Sequence, residues 1–544
     1  MNTKRSVLAL LACAALLATG CTGGGTSGQA SAPSPAASGT PPGSTASASS
    51  QEGDAETTKP VEFTVMSAIW EPFDPDQMDI YNEAMARTGA TIHFKWIPQA
   101  NAADQIAATL ASGDVPEVFG LSMLNSSTLI DQGALIDISS YYENGKLGNL
   151  TARLDDMDYL YMRHPADNGI YSLPMVQDYP PSMSWTIRKD WLDNLDLEVP
   201  KSWDDWMTVW SAFRDEDANK DGNANNEIPL SFELVPNALM QSFGMHTSGA
   251  NGTAGGYACF TLTDDNVYTF VVEHPRFYDY LEMCQRLYAD KIIDQEYSSR
   301  NNQELFKIMD NNTLGSAYTW AERVRLSTEV NREVIPEATW IGVEPPVAPG
   351  GKAMINSRIK VGNTLAITVA AEEQGKVDDI ISFFNWVFGD EGERLFSFGI
   401  EGQHYDVVDG EPVLKPELAA GGFVEARKAG IIPTPFAFTW EDGIYQQLLM
   451  GGKTYDESPE PVQLFYDALH MHKDYFIAPL PNLDTEAYVS KQADLLPKFG
   501  EIMDSCITGR LSIDEFKTEY EKLKSAGLQD IIDQCGEAYQ KMVG

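Results

Sequence analysis

From Val61 to Leu121 the chain alternates between two hydrophobic periods, and no other feature constrains its fold as much. Val61-Glu62-Phe63-Thr64-Val65-Met66 has the pattern of a strand. A loop of Ser67 to Pro72 follows, and then Met78, Tyr81 and Met85 recur at helical spacing, with Gly89 placed to end that helix. Thr91 to Ile97 reads as a second strand, residues 102–112 as a helix closed by Gly113, and Pro116 to Leu121 as a third strand. The order β-α-β-α-β predicts an α/β domain with a parallel sheet. Ligands of such sheets gather outside the carboxyl ends of the strands, which directs attention to the loop carrying Trp70.

Residues 1–60 precede this pattern and cannot belong to it. Lys4 and Arg5 are followed by an apolar run, Val7 to Leu17, of signal-peptide length and too short to span a bilayer comfortably. Gly20-Cys21 resembles a bacterial lipoprotein cleavage site, with residues 1–20 as signal peptide and Cys21 as the lipidated first residue. Ala18 stands where such sites usually carry Leu, and Leu17 is one place further back. Cys13 has the better local frame but would leave an apolar core of only Val7 to Leu11. An ordinary secretion signal with an incidental cysteine is the alternative, and either reading places the protein outside the cytoplasm. Thr22 to Pro60 is mostly Gly, Ser, Thr, Ala and Pro. It has almost nothing to bury, so residues 21–60 are expected to be a lipidated cysteine and a disordered tether. The implied localisation is the extracellular face of the cell membrane, held by the lipid alone.

The formal charge of −41 over 544 residues argues against nucleic acid and against adsorption to anionic lipid. Cys259, Cys284, Cys506 and Cys535 permit disulfides in an exported chain, with three possible pairings, although Cys535 falls on an apolar stripe that suits plain core packing. Ser202-Trp203-Asp204-Asp205 resembles a capping box, and Trp203, Trp206 and Trp210 share one helix face, a spacing that favours core over ligand platform. Helices are expected over Phe277–Asp290 and Asn302–Asp310, a buried strand over Thr364–Val369, and two helices from Ser512 to Met542 parted by Gly527.

The sharpest local motif is Asp217-Ala218-Asn219-Lys220-Asp221-Gly222-Asn223-Ala224-Asn225-Asn226-Glu227. Oxygen side chains fall at alternate positions and Gly222 permits a sharp turn, as in the first half of a calcium loop of the EF-hand kind. Glu227 is eleventh where that motif has its acid twelfth. Ca2+ with a structural role, held by Asp217, Asn219, Asp221, Asn223, Asn225 and Glu227, is weighed against a plain Asn/Asp-rich turn.

Several stretches then recur in a familiar order. They are Ala111 to Val118, Ile292 to Tyr297, Gly315 to Trp320, Asn363 to Ile367, Phe388 to Gly392, Gly399-Ile400-Glu401-Gly402-Gln403-His404-Tyr405, and the ending from Ile507 through Leu528. In that order they resemble the extracellular solute-binding proteins of ABC importers, family 1, and within it the large oligosaccharide-binding lipoproteins, some of which import uronate-containing sugars. The resemblance implies a two-lobe α/β fold of the periplasmic-binding-protein kind (type II) with an interlobe hinge. One lobe takes 61–176 and 354–425, the other 177–353 and 426–544. It implies a carbohydrate ligand, ABC permease subunits as partners, a monomer, and no enzymatic activity. A sugar needs aromatic faces for its C–H surfaces and hydrogen bonders around them. Trp70, Tyr179, Trp320 and Tyr405 are the candidate platforms, Asp178, Glu322 and His404 the candidate polar contacts, and Arg323 and Arg358 the candidate partners of a uronate carboxylate. Each competes with a core or surface role.

The rival class is a secreted glycoside hydrolase, which needs two carboxylates across a cleft. The strand–helix pattern lacks eight regular units, and neither a nucleophile elbow nor HExxH occurs. His470-Met471-His472 is a weak metal candidate. A peptide or metal-chelate binder on the same scaffold is the third reading.

Overall fold

Alternate residues of the opening strand serve two different cores. In β1 (Glu62–Ile69) Phe63 and Val65 pack with Ile92, Leu365 and Ile367, while Met66 packs with Ile97, Phe119 and Ala366. A strand buried on both faces is what a sheet covered by helices on each side requires, and each such side chain contributes about 1.5–3 kcal/mol. The structure is a computed structural model. It describes residues 61–69, 79–98, 102–122, 126–178, 183–232, 237–248, 257–356, 361, 363–431, 439–471, 473–477, 479–481 and 483–543. All fall in one compact unit, Thr57–Gly544. The expected leader and tether, with Cys21, lie outside the described residues.

The strands that place the site are, in chain order, β1, β2 (Thr91–Pro98), β3 (Val118–Ser122), β4 (Leu173–Asp178), β5 (Met183–Arg188), β6 (Ile228–Phe232), β7 (Leu314–Trp320), β8 (Trp340–Val343), β9 (Asn363–Ile367) and β10 (Thr439–Glu441). They form two sheets, one ordered β10-β4-β9-β3-β1-β2 and the other β8-β5-β7-β6. Each sheet has its own hydrophobic cluster, and these define two lobes. The local signals held. Helix Asp79–Thr88 ends at Gly89 with φ +72°, and helix Ala102–Ser112 ends at Gly113 with φ +77°. Trp206 and Trp210 are buried in the second lobe, and the Trp210 indole donates to Ser316 Oγ at 3.0 Å. The Ser202 capping box is present, and Gly527 breaks the C-terminal helices with φ +125°. Among the described residues no helix is long and apolar enough to cross a membrane.

The chain passes between lobes at places that differ from the expected borders. β4 stays in the first sheet through Asp178, two residues beyond the expected break. Ile355 packs in the second lobe's core, and the first core resumes only at Val361. β10 pairs with β4, which puts Thr439–Glu441 in the first sheet although 426–544 was expected in the second lobe. Helix Asp442–Leu449 then faces both ways. Ile444 and Leu448 lie in the first core, while Tyr445 and Leu449 pack on the cluster of Trp340 and Phe465.

Cys259, Cys284, Cys506 and Cys535 are all free and buried. Burial pushes the thiols of Cys259 and Cys535 up to about 12 and that of Cys506 up to about 11. Thiolate is the reactive form, so none of the four should react with an aromatic disulfide reagent until the protein is unfolded. Rapid modification of any of them in the native state would contradict this packing.

Candidate functional site

The register of each sheet gathers its strand ends on one edge, and the chain joins those two edges directly. β1 and β2 are parallel, as are β1 and β3, and β9 runs against β3 with Asn363 opposite Ser122. Asn363 also faces Met175 of antiparallel β4, and Glu441 of β10 faces Asp178. The carboxyl ends of β1, β2, β3, β4 and β10 and the amino end of β9 therefore share one edge. In the second sheet Met183 faces Trp320, Val343 faces Trp185 and Phe232 faces Tyr318. The carboxyl ends of β6, β7 and β8 and the amino end of β5 share the corresponding edge. The chain crosses between these two edges through 179–182, through the stretch between β8 and β9, and from β10 into helix Asp442–Leu449. Open α/β sheets take ligands outside such strand ends, which makes this junction the candidate site.

Trp320 stands at that junction. The six preceding residues of β7 are buried, whereas Trp320 is 43% exposed. Among the candidate platforms it is the one that the described residues place at this junction. Asp178 ends β4 at the same junction. Trp70 directly follows β1 in the chain and Tyr179 follows β4, but Trp70, Tyr179 and Arg358 lie outside the described residues.

The remaining candidates have other surroundings. Arg323 lies 4.5 Å over the Phe306 ring, pairs with Asp310, and donates to Ser327 Oγ at 2.7 Å. Its guanidinium is thus engaged within its own lobe and not displayed for a uronate. Glu322 is exposed and accepts from Arg325 at 3.0 Å. His404 and Tyr405 are not brought to Trp320. His404 is 8% exposed, its Nδ1 accepts from the Ile400 amide at 2.9 Å, and burial lowers its pKa. Tyr405 is 3% exposed, opposes Leu414 in a hairpin, and packs with Phe398 in the first core. Both are core residues because the turn at Gly399, φ +86°, folds the chain back over the helix that ends at Phe398. His470 Nδ1 lies 2.8 Å from the Tyr466 carbonyl and the ring stacks on Tyr466, while His472 lies outside the described residues.

The Asp217–Glu227 loop is folded around its own side chains. Asn219 Oδ1 accepts the Asp221 amide at 2.9 Å, Asp221 Oδ1 accepts the Asn223 amide at 2.9 Å, and Asp217 Oδ2 accepts the Gly222 amide at 3.0 Å. Lys220 at φ +55° and Gly222 at φ +92° supply the turns. Asn226, absent from the expected set, donates to Asp221 at 2.6 Å, while Asn223 and Asn225 are exposed. Three carboxylate oxygens, Asp217 Oδ1 and both of Glu227, are buried without a hydrogen-bond partner. Burial raises the Glu227 pKa, opposed by the nearby backbone amides of Glu227, Asn219 and Asn226 and helped by the charge of Asp217. Among the described residues no group of three or more His, Cys, Asp or Glu is placed to hold a metal. The donors of this loop are instead two acids and several amides, the oxygen chemistry of a hard cation, and such a cation would satisfy the three orphaned oxygens.

The chain is 25% identical over 298 residues to the fructooligosaccharide ABC transporter substrate-binding protein FusA of Streptococcus pneumoniae, 51% of this chain and 53% of that protein. It thus spans about half the length of that relative. It is 22% identical over 519 residues, 91% of this chain and 94% of the relative, to the polygalacturonan/rhamnogalacturonan-binding protein YtcQ of Bacillus subtilis. Among solved structures, the alginate-binding protein AlgQ2 without calcium ion superposes with TM-score 0.62 at 20% identity, covering 89% of this chain and 98% of that one. An EF-hand mutant of FusA with fructo-nystose does so with TM-score 0.59 at 18% identity, over 88% and 99%. No family model matches. The fold is that of the two-lobed solute-binding proteins. By name these relatives are a substrate-binding protein of an ABC transporter and a polysaccharide-binding protein.

Proposed function

We propose that this chain is the lipid-tethered, extracellular binding component of an ABC importer. It captures an oligosaccharide between its lobes and delivers it unaltered to permease subunits. The observation that carries this is Trp320, an exposed indole at the end of a buried strand, at the junction of both sheets' carboxyl edges. An indole face stacks on sugar C–H surfaces. Lobe closure about the crossings excludes water, which strengthens each hydrogen bond around the ring. The pairing of Arg323 with Asp310 removes one candidate for a uronate carboxylate and leaves Arg358 as the cation to test.

In the same reading Ca2+ pins the Asp217–Glu227 loop. Asn219 Nδ2 donates to the Asn312 carbonyl at 3.2 Å, so the loop is fastened to the segment that leads into β7 and Trp320. Calcium supplies charge compensation and nothing catalytic. At 100 times its Kd it would add about 2.7 kcal/mol of stability. Without metal, the raised pKa of Glu227 favours the folded state while the carboxyl is protonated. That contribution is lost as pH rises through the folded pKa, so the destabilisation by a chelator grows from acid towards neutral pH.

A melting-temperature screen with fructooligosaccharides and oligogalacturonates, each with Ca2+ or with chelator, tests both halves. A rise with one sugar class and no cleavage products is expected, together with a fall on chelation. No rise with any oligosaccharide removes the sugar reading, released products indicate a hydrolase, and indifference to chelator removes the metal.

A further inference from the structure

A proline-rich strap of the second lobe is fastened at the same junction by an arginine distant from it in sequence. Residues 344–352 leave the carboxyl end of β8 and include Pro345, Pro346 and Pro349. The strap has two anchors. The first is β8 itself, where Val343 faces Trp185. The second is the turn after helix Ala238–Ser242, which follows the carboxyl end of β6. There the Ala348 amide donates to the Ser242 carbonyl at 3.0 Å, and the Gly351 amide donates to the Ala348 carbonyl at 2.7 Å. A Cβ at Gly351 would run into the Ser242 carbonyl, so this close approach needs glycine. Arg276 closes the latch. Its guanidinium lies 5.5 Å over the Phe243 ring. One terminal nitrogen donates to the Gly350 carbonyl and the other, at 2.7 Å, to the Pro349 carbonyl. The Arg276 amide donates to His274 Nδ1 at 3.2 Å, just ahead of helix Phe277–Ala289.

We propose that Arg276 is a positioning residue for the binding site: it fixes this strap as a wall beside Trp320. β8 and β7 flank β5, and two strand spacings amount to about 10 Å. Met183 and Trp185 of β5 pair with Trp320 and Val343. Residues two apart on a strand share a face, so the indole and the start of the strap lie on the same side of the sheet. Val343, Trp185 and Phe243 belong to one cluster on that side, and Met183 packs against it. Only residues 344–347 separate Val343 from Ala348, a reach of at most about 18 Å, so the strap keeps to the rim of the sheet. Pro345 and Pro346 are buried and have no N–H, while Glu344 is exposed and Val347 half-buried. Among the described residues no backbone amide donates to the Val347 carbonyl. The open part of the strap is thus an acceptor surface, the Glu344 carboxylate and the Val347 carbonyl, which suits the hydroxyl donors of a sugar. A strap held before the solute arrives costs little further ordering on binding. This deepens the oligosaccharide reading given above and rests on it.

Amide hydrogen exchange and calorimetric titration of the full chain test it. Arg276→Met keeps an apolar stem against Phe243 and loses both donors to the strap. In the ligand-free variant the amides of residues 347–352 should exchange faster than in the parent. Fructooligosaccharides and oligogalacturonates are the probes, and Kd for whichever stabilises the parent should rise about tenfold. Arg276→Lys should recover part of that affinity, because an ammonium group does not hold two carbonyls as the planar guanidinium does. A residue serving stability alone would show no such graded effect on Kd among variants that melt alike. Arg286→Met, exposed on the same helix and paired with Asp290 at 3.7 Å, should change neither exchange nor Kd. If Arg276→Met melts early, Gly351→Ala lifts the strap from Ser242 and should produce the same two changes. Faster strap exchange in a protein whose parent binds neither probe would support the clamp while removing the sugar reading. Unchanged strap exchange in a folded variant, or faster exchange with Kd unmoved, overturns the proposal.

Discussion

Replacing Arg188 with alanine is expected to lower the stability of the protein by about 3–5 kcal/mol. Arg188 is wholly buried and closes a two-point pair with Asp190, Nε to Oδ1 at 2.9 Å and Nη2 to Oδ2 at 2.6 Å. Its guanidinium lies between the rings of Trp191, at 5.2 Å, and Trp340, at 5.7 Å. Alanine leaves Asp190, 7% exposed, facing the Thr339 amide at 3.1 Å and no compensating cation. The cost arises from the stranded carboxylate more than from the lost attraction. The double variant Arg188→Met/Asp190→Leu should therefore unfold at higher urea than Arg188→Ala alone. The reverse order would refute this account. The effect should also reach the cation loop. Arg188 and Trp191 both donate to Asn312 Oδ1, and the Asn312 carbonyl accepts Asn219 Nδ2. Arg188→Ala is thus expected to blunt the stabilisation by Ca2+ as well.

The sequence discloses those parts of this fold that are decided within a few turns of chain. Period two in Val61–Met66, period 3.6 in Trp203–Asp215 and the caps at Ser202 and Ser512 depend on neighbours three or four residues away, and the structure has them. The acid-and-amide spacing of Asp217–Glu227 is legible for the same reason. What is not legible is pairing over long separations. β10 joins β4 across more than 260 residues of chain, and nothing near Thr439 announces it. Arg323 reads as an available cation because Asp310, its partner, belongs to the helix before β7. His404 and Tyr405 read as polar and aromatic groups free for a ligand because the hairpin that buries them is defined only by contacts with Phe398 and Leu414. The return of the C-terminal helices beside residues 164–172 has no sequence signature at all.

Trp320→Ala should weaken oligosaccharide binding by about 30- to 700-fold, or about 2–4 kcal/mol, the range of a central aromatic anchor. The argument rests on where the indole is, not only on its type. β7 is buried from Leu314 through Thr319, and Gly315 is needed because a Cβ there would stand 2.4 Å from Phe213. That packing fixes the strand, and the strand holds Trp320 at the junction of the two sheets without help from a ligand. A platform held in place beforehand loses little side-chain freedom on binding, so most of its contact free energy is retained. Because Trp320 is 43% exposed, its loss opens no core cavity and the unliganded melting temperature should hardly move. Trp210, wholly buried in the same lobe, should behave in the opposite way. Trp210→Ala should cost about 3–5 kcal/mol of stability and leave Kd near the parent value in the fraction that folds. Calorimetric titration and thermal melts of both variants, beside Trp320→Phe, separate the two roles. Phenylalanine keeps a stacking face and should recover part of the affinity. If Trp320→Ala instead destabilises the free protein and binds as well as the parent, the indole is packing material and the ligand lies elsewhere.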